Sequence, residues 1–277
     1  MTSIKKFSVI ILILLASVAL AQDKVKIDYK YEPGKTYHYR MQSSNSFIQE
    51  LMGQENKGTT GISQEGIFSV ESVDNEGLMH GSFEWQNFTT ATKMMQIDTT
   101  IAMKDYIGKK SNLTITPNGN IAVLSSDSAN VAIGMPGSTV GAMLFFLKLP
   151  EERVAVGDTF SICTTDTTYD QKNNQTITER TRKSKFESIE KTSEGSLIYI
   201  FSYEELTSSA GTVETMGMEM YQETEGTEKG TVRISGNGIL LSQQAVSDKD
   251  MSLVLTGQMG MTIPMTIHEE REYKLVE

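Results

Sequence analysis

Cysteine and histidine are scarce in this sequence, with one cysteine, Cys163, and three histidines among 277 residues. A single cysteine excludes an intramolecular disulfide and disfavours a cysteine-ligated metal centre. The histidines, His38, His80 and His268, lack the helical or hairpin spacing that would suit zinc. We therefore expect neither a metal nor a cofactor.

Motifs of nucleophilic catalysis and phosphate binding are also missing. No Gly-x-Ser-x-Gly elbow occurs, Cys163 has no nearby histidine, and the glycines are scattered at turns. We therefore expect no catalytic residue that the sequence can identify.

Basic residues are fewer than acidic ones, with 25 Lys and Arg against 35 Asp and Glu and a net charge of −10. Such a chain repels phosphate backbones, so we expect no nucleic-acid partner.

Long apolar runs are absent except near the beginning, where residues 1–21 have the features of a signal peptide. Lys5 and Lys6 precede the apolar stretch Val9–Leu15, and Ala19–Ala21 fits a cleavage site. The run is too short to span a membrane comfortably. We expect an exported protein, periplasmic or extracellular, with no transmembrane segment after signal cleavage.

Alternation of apolar and polar residues dominates the rest of the chain and indicates half-buried strands. The stretch 251–267 is the most regular, since its apolar residues lie on odd positions. The polar stretches 164–182 and 208–230 lack apolar periodicity, and we expect loops, exposed hairpins or solvated edges there. The charged stretch His268–Glu272 predicts an edge strand with a solvated face.

Three pairs of short motifs recur in the same order along the chain. The offsets within the pairs are 123, 118 and 119 residues. The pairs are Gly34–Tyr37 with Gly157–Phe160, Phe68–Gly77 with Phe186–Gly195, and Leu113–Gly119 with Val232–Gly238. Self-similarity at a nearly fixed period indicates an internal duplication. The alternative is a set of ordinary hairpin turns, since each glycine alone is typical turn chemistry.

We accordingly expect a mostly β protein made of two similar antiparallel β units, residues 22–135 and 151–277. The units would form curved sheets or a half-barrel whose inner faces pack into one apolar core or cleft. A short connecting helix is predicted over residues 136–150, because Val140, Met143, Leu144 and Leu147 have helical spacing.

Methionine is unusually frequent, with 16 residues. Its flexible side chain suits core filling, and it also suits a pocket that adapts to varied apolar ligands. Copper(I) coordination by thioethers is a further alternative. The residues that we expect to line a ligand cleft are Met143, Phe146, Met251, Leu253, Leu255, Met259, Met261, Ile263 and Met265.

A family likeness rests on three motifs, Tyr31–Tyr37, Ile115–Gly119 and Leu149–Phe160. By these motifs the chain resembles an uncharacterised family of bacterial exported proteins that carry a domain of unknown function. The family often has Trp where this chain has Phe160. The resemblance implies export but no activity and no site residues. A looser architectural likeness is to LolA-type lipoprotein carriers, and function does not follow from such a likeness.

These observations favour an exported, non-catalytic protein that binds an apolar or amphipathic molecule in a cleft between two β units. Its partner would be a lipid-like small molecule or an envelope protein. One alternative is a structural or interaction module of the cell envelope with a filled core. A second alternative is a hydrolase active on polysaccharide or peptide, which for a glycosidase requires two inward carboxylates at a set separation.

Overall fold

The computed structural model describes residues 24–51, 53–94, 97–126, 146–169, 174–215, 218–255 and 260–276. Within these ranges the chain forms twelve strands and one 3-10 turn at Lys104–Tyr106, without an α-helix. The described residues contain no helix that is both long and apolar enough to span a membrane. The mostly β fold predicted from the alternating pattern is confirmed.

Most of the strands are long, and most of those consecutive along the chain pair as antiparallel hairpins. Their bounds are β1 (Thr36–Leu51), β2 (Gln54–Val73), β3 (Met79–Met94), β4 (Ile97–Ala102), β5 (Lys110–Ile115), β6 (Ile121–Ser126), β7 (Thr159–Tyr169), β8 (Gln175–Lys191), β9 (Leu197–Thr215), β10 (Met218–Ser235), β11 (Leu240–Leu255) and β12 (Thr262–Leu275).

All twelve strands belong to a single antiparallel sheet. Its order is β6-β5-β3-β2-β1-β12-β11-β10-β9-β8-β7, and β4 pairs with β3 off this path. One face carries most of the buried side chains, yet no described helix or second sheet covers it. The sheet therefore curves, so that this face becomes an interior that buries its own side chains.

The last strand, β12, lies in the middle of the sheet between β1 and β11. Arg271 is in register with Ser43 of β1 and with Ala245 of β11. The prediction of an edge strand at His268–Glu272 is therefore wrong. The charged side chains of His268–Glu272 alternate between the two faces of the sheet. Those on the inner face pair with charged side chains of other strands.

In the described ranges the two polar stretches form strands, so the expectation of loops is wrong. The alternative of a hairpin at residues 164–182 agrees with the antiparallel pairing of β7 and β8. Residues 164–169 belong to β7 and residues 175–182 to β8, whereas residues 208–215 belong to β9 and residues 218–230 to β10. The sequence did not predict a buried strand face here, because the inward positions carry Thr, Arg and Glu. These side chains meet partners of the same kind across the sheet, so a buried face forms without apolar periodicity.

Two extended segments, residues 24–33 and 146–156, pack against one end of the curved sheet. A β-bridge joins Val25 to Val154, and the backbone N–H of Tyr29 donates to the carbonyl of Pro117 at 2.7 Å. The Tyr29 hydroxyl also donates to the carbonyl of Leu147 at 3.1 Å. Hydrogen bonds of this kind satisfy buried backbone groups and fix both segments in place.

The aromatic core is the large buried cluster beside these segments. Its fully buried rings are Tyr29, Tyr39, Phe68, Phe88, Phe186, Phe201 and Tyr273. The ring of Phe146 packs edge-on against Tyr29, with centroids 4.6 Å apart. The helix predicted over residues 136–150 falls mainly on residues outside the described ranges. Its described part, residues 146–150, is not helical.

The three repeated motif pairs share backbone geometry. Gly34 donates its N–H to the carbonyl of Val70 at 2.8 Å, and Gly157 donates to Phe186 at 2.7 Å. Both acceptors belong to the second motif of their unit, but at positions that differ by two residues. Each motif has its glycine at a positive φ, a conformation that favours glycine over other residues. The φ values are +77° and +95° for Gly34 and Gly157, +84° and +88° for Gly77 and Gly195, and +89° and +84° for Gly119 and Gly238. The internal duplication stays a prediction, which this match supports.

Candidate functional site

The interior of the sheet is arranged in rows that run across the strands, because antiparallel register places residues of neighbouring strands side by side on one face. We call one of these rows the cavity row. It contains Ser184, Tyr203, Gly230, Ala245, Arg271, Ser43 and Ile62, one residue from each strand from β8 through β12 to β1 and β2.

A cavity of about 1260 Å³ lies along the cavity row, and every residue of the row lines it. Ser43, Ser184 and Ala245 have small side chains, so they leave space at the middle of the sheet, whereas the ring of Tyr203 covers Gly230. Ligand pockets commonly enclose roughly 300–1,000 Å³. This cavity is therefore large enough for a small molecule with a hydrocarbon portion.

The next row, which we call the charged row, closes one side of this space. It contains Arg182, Glu205, Glu228, Ser247, Glu269 and Asn45. A second cavity of about 760 Å³ lies beyond it and is bordered by Thr207, Gly226, Lys249 and Ile267. On the other side of the cavity row lies the aromatic core.

Arg271 links the cavity row to the charged row. Its Nη2 lies 2.9 Å from both carboxylate oxygens of Glu228, and its Nη1 lies 3.9 Å from Oε1 of Glu269. Lys249 Nζ lies 3.0 Å from the other oxygen of Glu269. Buried charges persist in a protein when they are paired in this way.

The pKa values of this network follow from its geometry. Burial alone would raise the pKa of Glu269, but the charges of Lys249 and Arg271 outweigh burial and hold the pKa below its ordinary value. Burial alone would likewise lower the pKa of Arg271, and the carboxylates of Glu228 and Glu269 raise it instead. Both groups are therefore ionised at neutral pH.

Tyr203 is held between the two rows by several contacts. Its hydroxyl donates to Oε1 of Glu228 at 2.6 Å and accepts from Nε2 of Gln243 at 2.5 Å. The guanidinium carbon of Arg182 lies 4.9 Å from the ring centre, within cation–π range. Burial, followed by the nearby charge of Glu228, raises the pKa of Tyr203, so the phenol stays protonated.

The ion pairs of the charged row continue from Arg182 toward β7. Arg182 Nε lies 2.6 Å from Oε2 of Glu205, and Arg180 Nε lies 4.0 Å from the other oxygen of that carboxylate. Arg180 also pairs with Asp166 on β7. Among the described residues, the inward carboxylates of this row therefore each have a cationic partner.

Several buried polar atoms have no hydrogen-bond partner in the described part of the chain. They are Ser184 Oγ, Thr90 Oγ1, Gln243 Oε1 and Tyr273 Oη. Ser184 lines the cavity and is 1% exposed, and Gln243 is 4% exposed. An unpaired buried polar group costs about 1–3 kcal/mol. Of these four residues, Ser184 alone lines the cavity.

The ligand-lining residues predicted from the sequence lie elsewhere. Met251, Leu253, Ile263 and Met265 form a buried cluster with Met220, which we call the methionine cluster. Leu255 and Met261 pack half-buried against it, and Phe146 belongs to the aromatic core. Met143 and Met259 lie outside the described residues. None of the seven described positions lines either cavity, so their binding role stays a prediction.

The sequence reading did not find the cavity row or the charged row. The only signal was a period-two pattern of polar residues, such as Arg180, Arg182 and Ser184 in β8 or Tyr203 and Glu205 in β9. Such a pattern also describes a solvated strand face. It identifies a buried network only when the register between strands is known.

Metal ligation has no visible basis in the described ranges, where no three His, Cys, Asp or Glu side chains come together as a metal-binding group. The described network instead pairs each acid with a base. Its chemistry is therefore hydrogen bonding and charge pairing around an internal space.

Comparisons with known proteins identify no family for this chain. No family model matches it, and no curated protein matches it. One similar solved structure is Salmonella typhi OmpF in complex with daunomycin, at 7% identity and a TM-score of 0.29, covering 87% of this chain and 98% of that one. Another is an outer membrane channel from Pseudomonas putida F1, at 8% identity and a TM-score of 0.21, covering 91% and 100%. These TM-scores are too low to carry an argument about fold or function.

Proposed function

We propose that this protein is an exported, non-catalytic binding protein that holds an amphipathic small molecule in the cavity along the cavity row. The observation that carries the proposal is the open groove of about 1260 Å³ along the cavity row. Small side chains at the middle of the sheet border this groove, and its volume is sufficient for a small ligand.

The two sides of the cavity support an amphipathic occupant. Val232 and Phe201 of the aromatic core lie next along their strands from Gly230 and Tyr203, on the same face. The charged row, with Glu228 and its neighbours, lies on the opposite side of the cavity row. An apolar portion of the ligand would contact the aromatic core, and a polar portion would face the charged row.

The inward carboxylates support a binding role over hydrolysis. Glu205, Glu228 and Glu269 each accept from an Arg or Lys side chain. A glycosidase that uses two carboxyl groups needs one carboxylic acid that keeps its proton near neutral pH. The lowered pKa of Glu269 is the opposite of that requirement.

Binding is tested with an environment-sensitive fluorescent amphiphile and with native mass spectrometry of gently purified protein. Ala245→Phe places a ring in the cavity row and should abolish probe uptake. Ile177→Phe is the control, because Ile177 is 42% exposed on β8 and lines neither cavity. The proposal fails if wild-type protein takes up no probe and carries no bound molecule, or if both variants bind like wild type.

Export rests on the signal-peptide features of residues 1–21 and on the resemblance to exported bacterial proteins. Expression of the full chain in a bacterial host, followed by amino-terminal sequencing of the exported product, tests it. A mature protein that begins at Gln22 supports export with cleavage. Retention of the uncleaved chain in the cytoplasm contradicts it.

A second candidate is a structural or interaction module of the cell envelope. Large exposed apolar side chains on two strands at one end of the sheet favour this candidate. They are Ile97 and Ile101 on β4 and Val123 and Leu124 on β6, and each is between 50% and 64% exposed. Exposed edges of this kind pair readily with other chains. Cross-linking in the native envelope, compared between wild type and Ile101→Lys, tests this alternative.

A further inference from the structure

We infer that β4 and the turn after it, residues 97–110, form a docking surface for an anionic lipid bilayer. This inference goes beyond the proposed binding function, because it concerns a surface that the protein contacts and not the ligand in the groove. It comes from three features of this segment: the exposure of its apolar side chains, a local excess of positive charge, and the position of β4 beside the groove.

The apolar side chains of this segment are not covered by any described part of the chain. All six side chains of β4 are exposed, although two of them are isoleucines. Ile97 and Ile101 are 50% and 54% exposed, and Ile107 in the turn is 39% exposed. Aliphatic side chains that stay in water forgo the stabilisation that burial gives. A group of them at one place is typical of a surface that contacts a protein or a membrane.

The charge of this segment is opposite in sign to that of the whole chain. Residues 93–110 contain four lysines and two aspartates, a net charge of +2, whereas the chain carries −10. The two ion pairs described in this segment use Lys93 and Lys110. Lys104 and Lys109 are exposed and take no part in these pairs. A lysine held close to an anionic bilayer strengthens binding about fivefold.

An anionic lipid surface fits this combination better than another protein chain does. β4 has only six residues, and such a short strand offers few free backbone groups to an added strand. A bilayer requires no strand register, since isoleucines enter its apolar layer while lysines stay at the head groups. The rest of the chain is acidic, so an anionic bilayer repels its other surfaces and would be approached through this one.

The position of β4 places this surface at one end of the groove along the cavity row. Thr90 of β3 is in register with Ile62 of the cavity row and with Ile101 of β4. Ile101 therefore continues the cavity row two strands beyond Ile62. The neighbours of Thr90 in β3, Thr89 and Ala91, line the groove. A bilayer held at β4 would accordingly lie where an amphipathic molecule can pass between the lipid and the groove.

Vesicle flotation tests the docking surface in wild-type protein. The vesicles contain either phosphatidylethanolamine with a minority of phosphatidylglycerol, or phosphatidylcholine alone. We expect the anionic vesicles to bind the protein at least about tenfold more strongly than the neutral ones, and this preference should shrink at high salt. This comparison needs no variant, so it does not depend on how a substitution folds.

Two double variants separate the contributions of the side chains. Ile97→Ser with Ile101→Ser removes apolar contact and should weaken binding to the anionic vesicles about tenfold. Lys104→Gln with Lys109→Gln removes two cations and should give a similar loss on anionic vesicles but none on neutral ones. All four residues are exposed and none lines either cavity, so both variants should take up the fluorescent probe from solution like wild type.

Each double variant has a matched control elsewhere in the chain. Ile177→Ser with Ile189→Ser changes two isoleucines of β8 that are 42% and 41% exposed. Lys30→Gln with Lys191→Gln removes two other exposed lysines. Neither control should weaken vesicle binding.

Vesicle binding and probe uptake are measured separately, so the docking surface and the binding function can fail independently. The inference is overturned if wild-type protein floats with neither kind of vesicle, or if both double variants bind vesicles like wild type. Equal losses in the variants and their controls overturn it as well. Probe uptake without vesicle binding overturns the docking surface and leaves the binding function intact. Vesicle binding that both double variants lose, without probe uptake, supports the docking surface and overturns the binding function.

Discussion

Arg271 of β12 and Glu228 of β10 form a bidentate ion pair across the strand that separates them. The guanidinium Nη2 lies 2.9 Å from both oxygens of Glu228. Between them β11 presents Ala245 and Ser247 on the same face. These small side chains leave room for the pair to reach over β11. The ion pair and the internal cavity therefore share one cause, which is a run of small residues at the centre of the sheet.

Removal of this cation should strongly destabilise the fold. Arg271→Ala leaves Glu228 and Glu269 buried without their shared partner, and breaking a buried pair costs about 3–5 kcal/mol. Arg233→Ala is the control, because its 2.6 Å pair with Glu190 is exposed and such pairs contribute about 0–1 kcal/mol. Urea unfolding of both variants measures the difference. Equal losses would contradict a buried network.

The double variant Arg271→Met with Glu228→Leu refines this test. Because it removes both charges together, it should recover most of the stability lost in Arg271→Ala. Recovery would show that the cost arises from an uncompensated charge and not from lost packing. A double variant less stable than the single one would argue against this assignment.

Gly230 should tolerate no side chain, because Tyr203 lies directly over it. A Cβ at Gly230 would be 2.6 Å from three atoms of Tyr203, including its hydroxyl oxygen. Gly230→Ala should therefore displace the ring, weaken its hydrogen bond to Glu228 and cost about 1–3 kcal/mol. Gly61→Ala is the control, since the nearest atoms to its Cβ are 4.0 Å away. Similar unfolding free energies for the two variants would contradict this packing.

Acid should weaken the fold through Glu269. Its pKa lies below the ordinary value of 4.5, so the carboxylate stabilises the folded state at neutral pH. This contribution is complete above the unfolded-state pKa and disappears as the pH falls through the lower folded-state value. The free energy of unfolding, measured by urea titration from about pH 7 to about pH 3, should decline more steeply for wild type than for Glu269→Gln. Parallel curves would contradict the charge pairing.

Two glycines with similar backbone angles should differ in their response to alanine. Gly157 and Gly238 have φ values of +95° and +84°, and alanine is strained at both. A Cβ at Gly157 meets nothing within 4 Å, whereas one at Gly238 would collide with the backbone of Asp28 and Lys30. Gly157→Ala should cost about 1 kcal/mol and Gly238→Ala clearly more. Equal costs would show that residues 24–33 are not docked as described.

The β character of the fold was predictable from alternation, and the turns were predictable from glycine. The motif glycines Gly77, Gly119, Gly195 and Gly238 all occupy turns with positive φ, as their sequence context indicated. These features were accessible because they depend on local backbone preferences. The two-unit division is untested, although the matched turns support it.

The centre of the sheet could not be predicted, because it depends on register between strands far apart in sequence. Arg271 meets Glu228 only because β12 pairs with β11, and nothing local in either strand specifies that contact. The sequence pattern therefore favoured a solvated edge at Glu269 and Arg271. For the same reason, Met251 and Met265 were predicted to line a ligand cleft, because their apolar alternation is visible within one strand. Ser184 was not predicted, because its surroundings depend on neighbouring strands.

The most direct test of the account is whether a larger side chain can occupy the space along the cavity row without destabilising the fold. Ala245→Leu adds apolar volume to this row, and Val232→Phe adds it to the aromatic core, where Val232 is 1% exposed. Overpacking a filled core costs about 1–3 kcal/mol, whereas filling a cavity does not. Urea unfolding should show Ala245→Leu at least as stable as wild type and Val232→Phe destabilised. A loss in Ala245→Leu as large as that in Val232→Phe would contradict the cavity, and with it the proposed binding function.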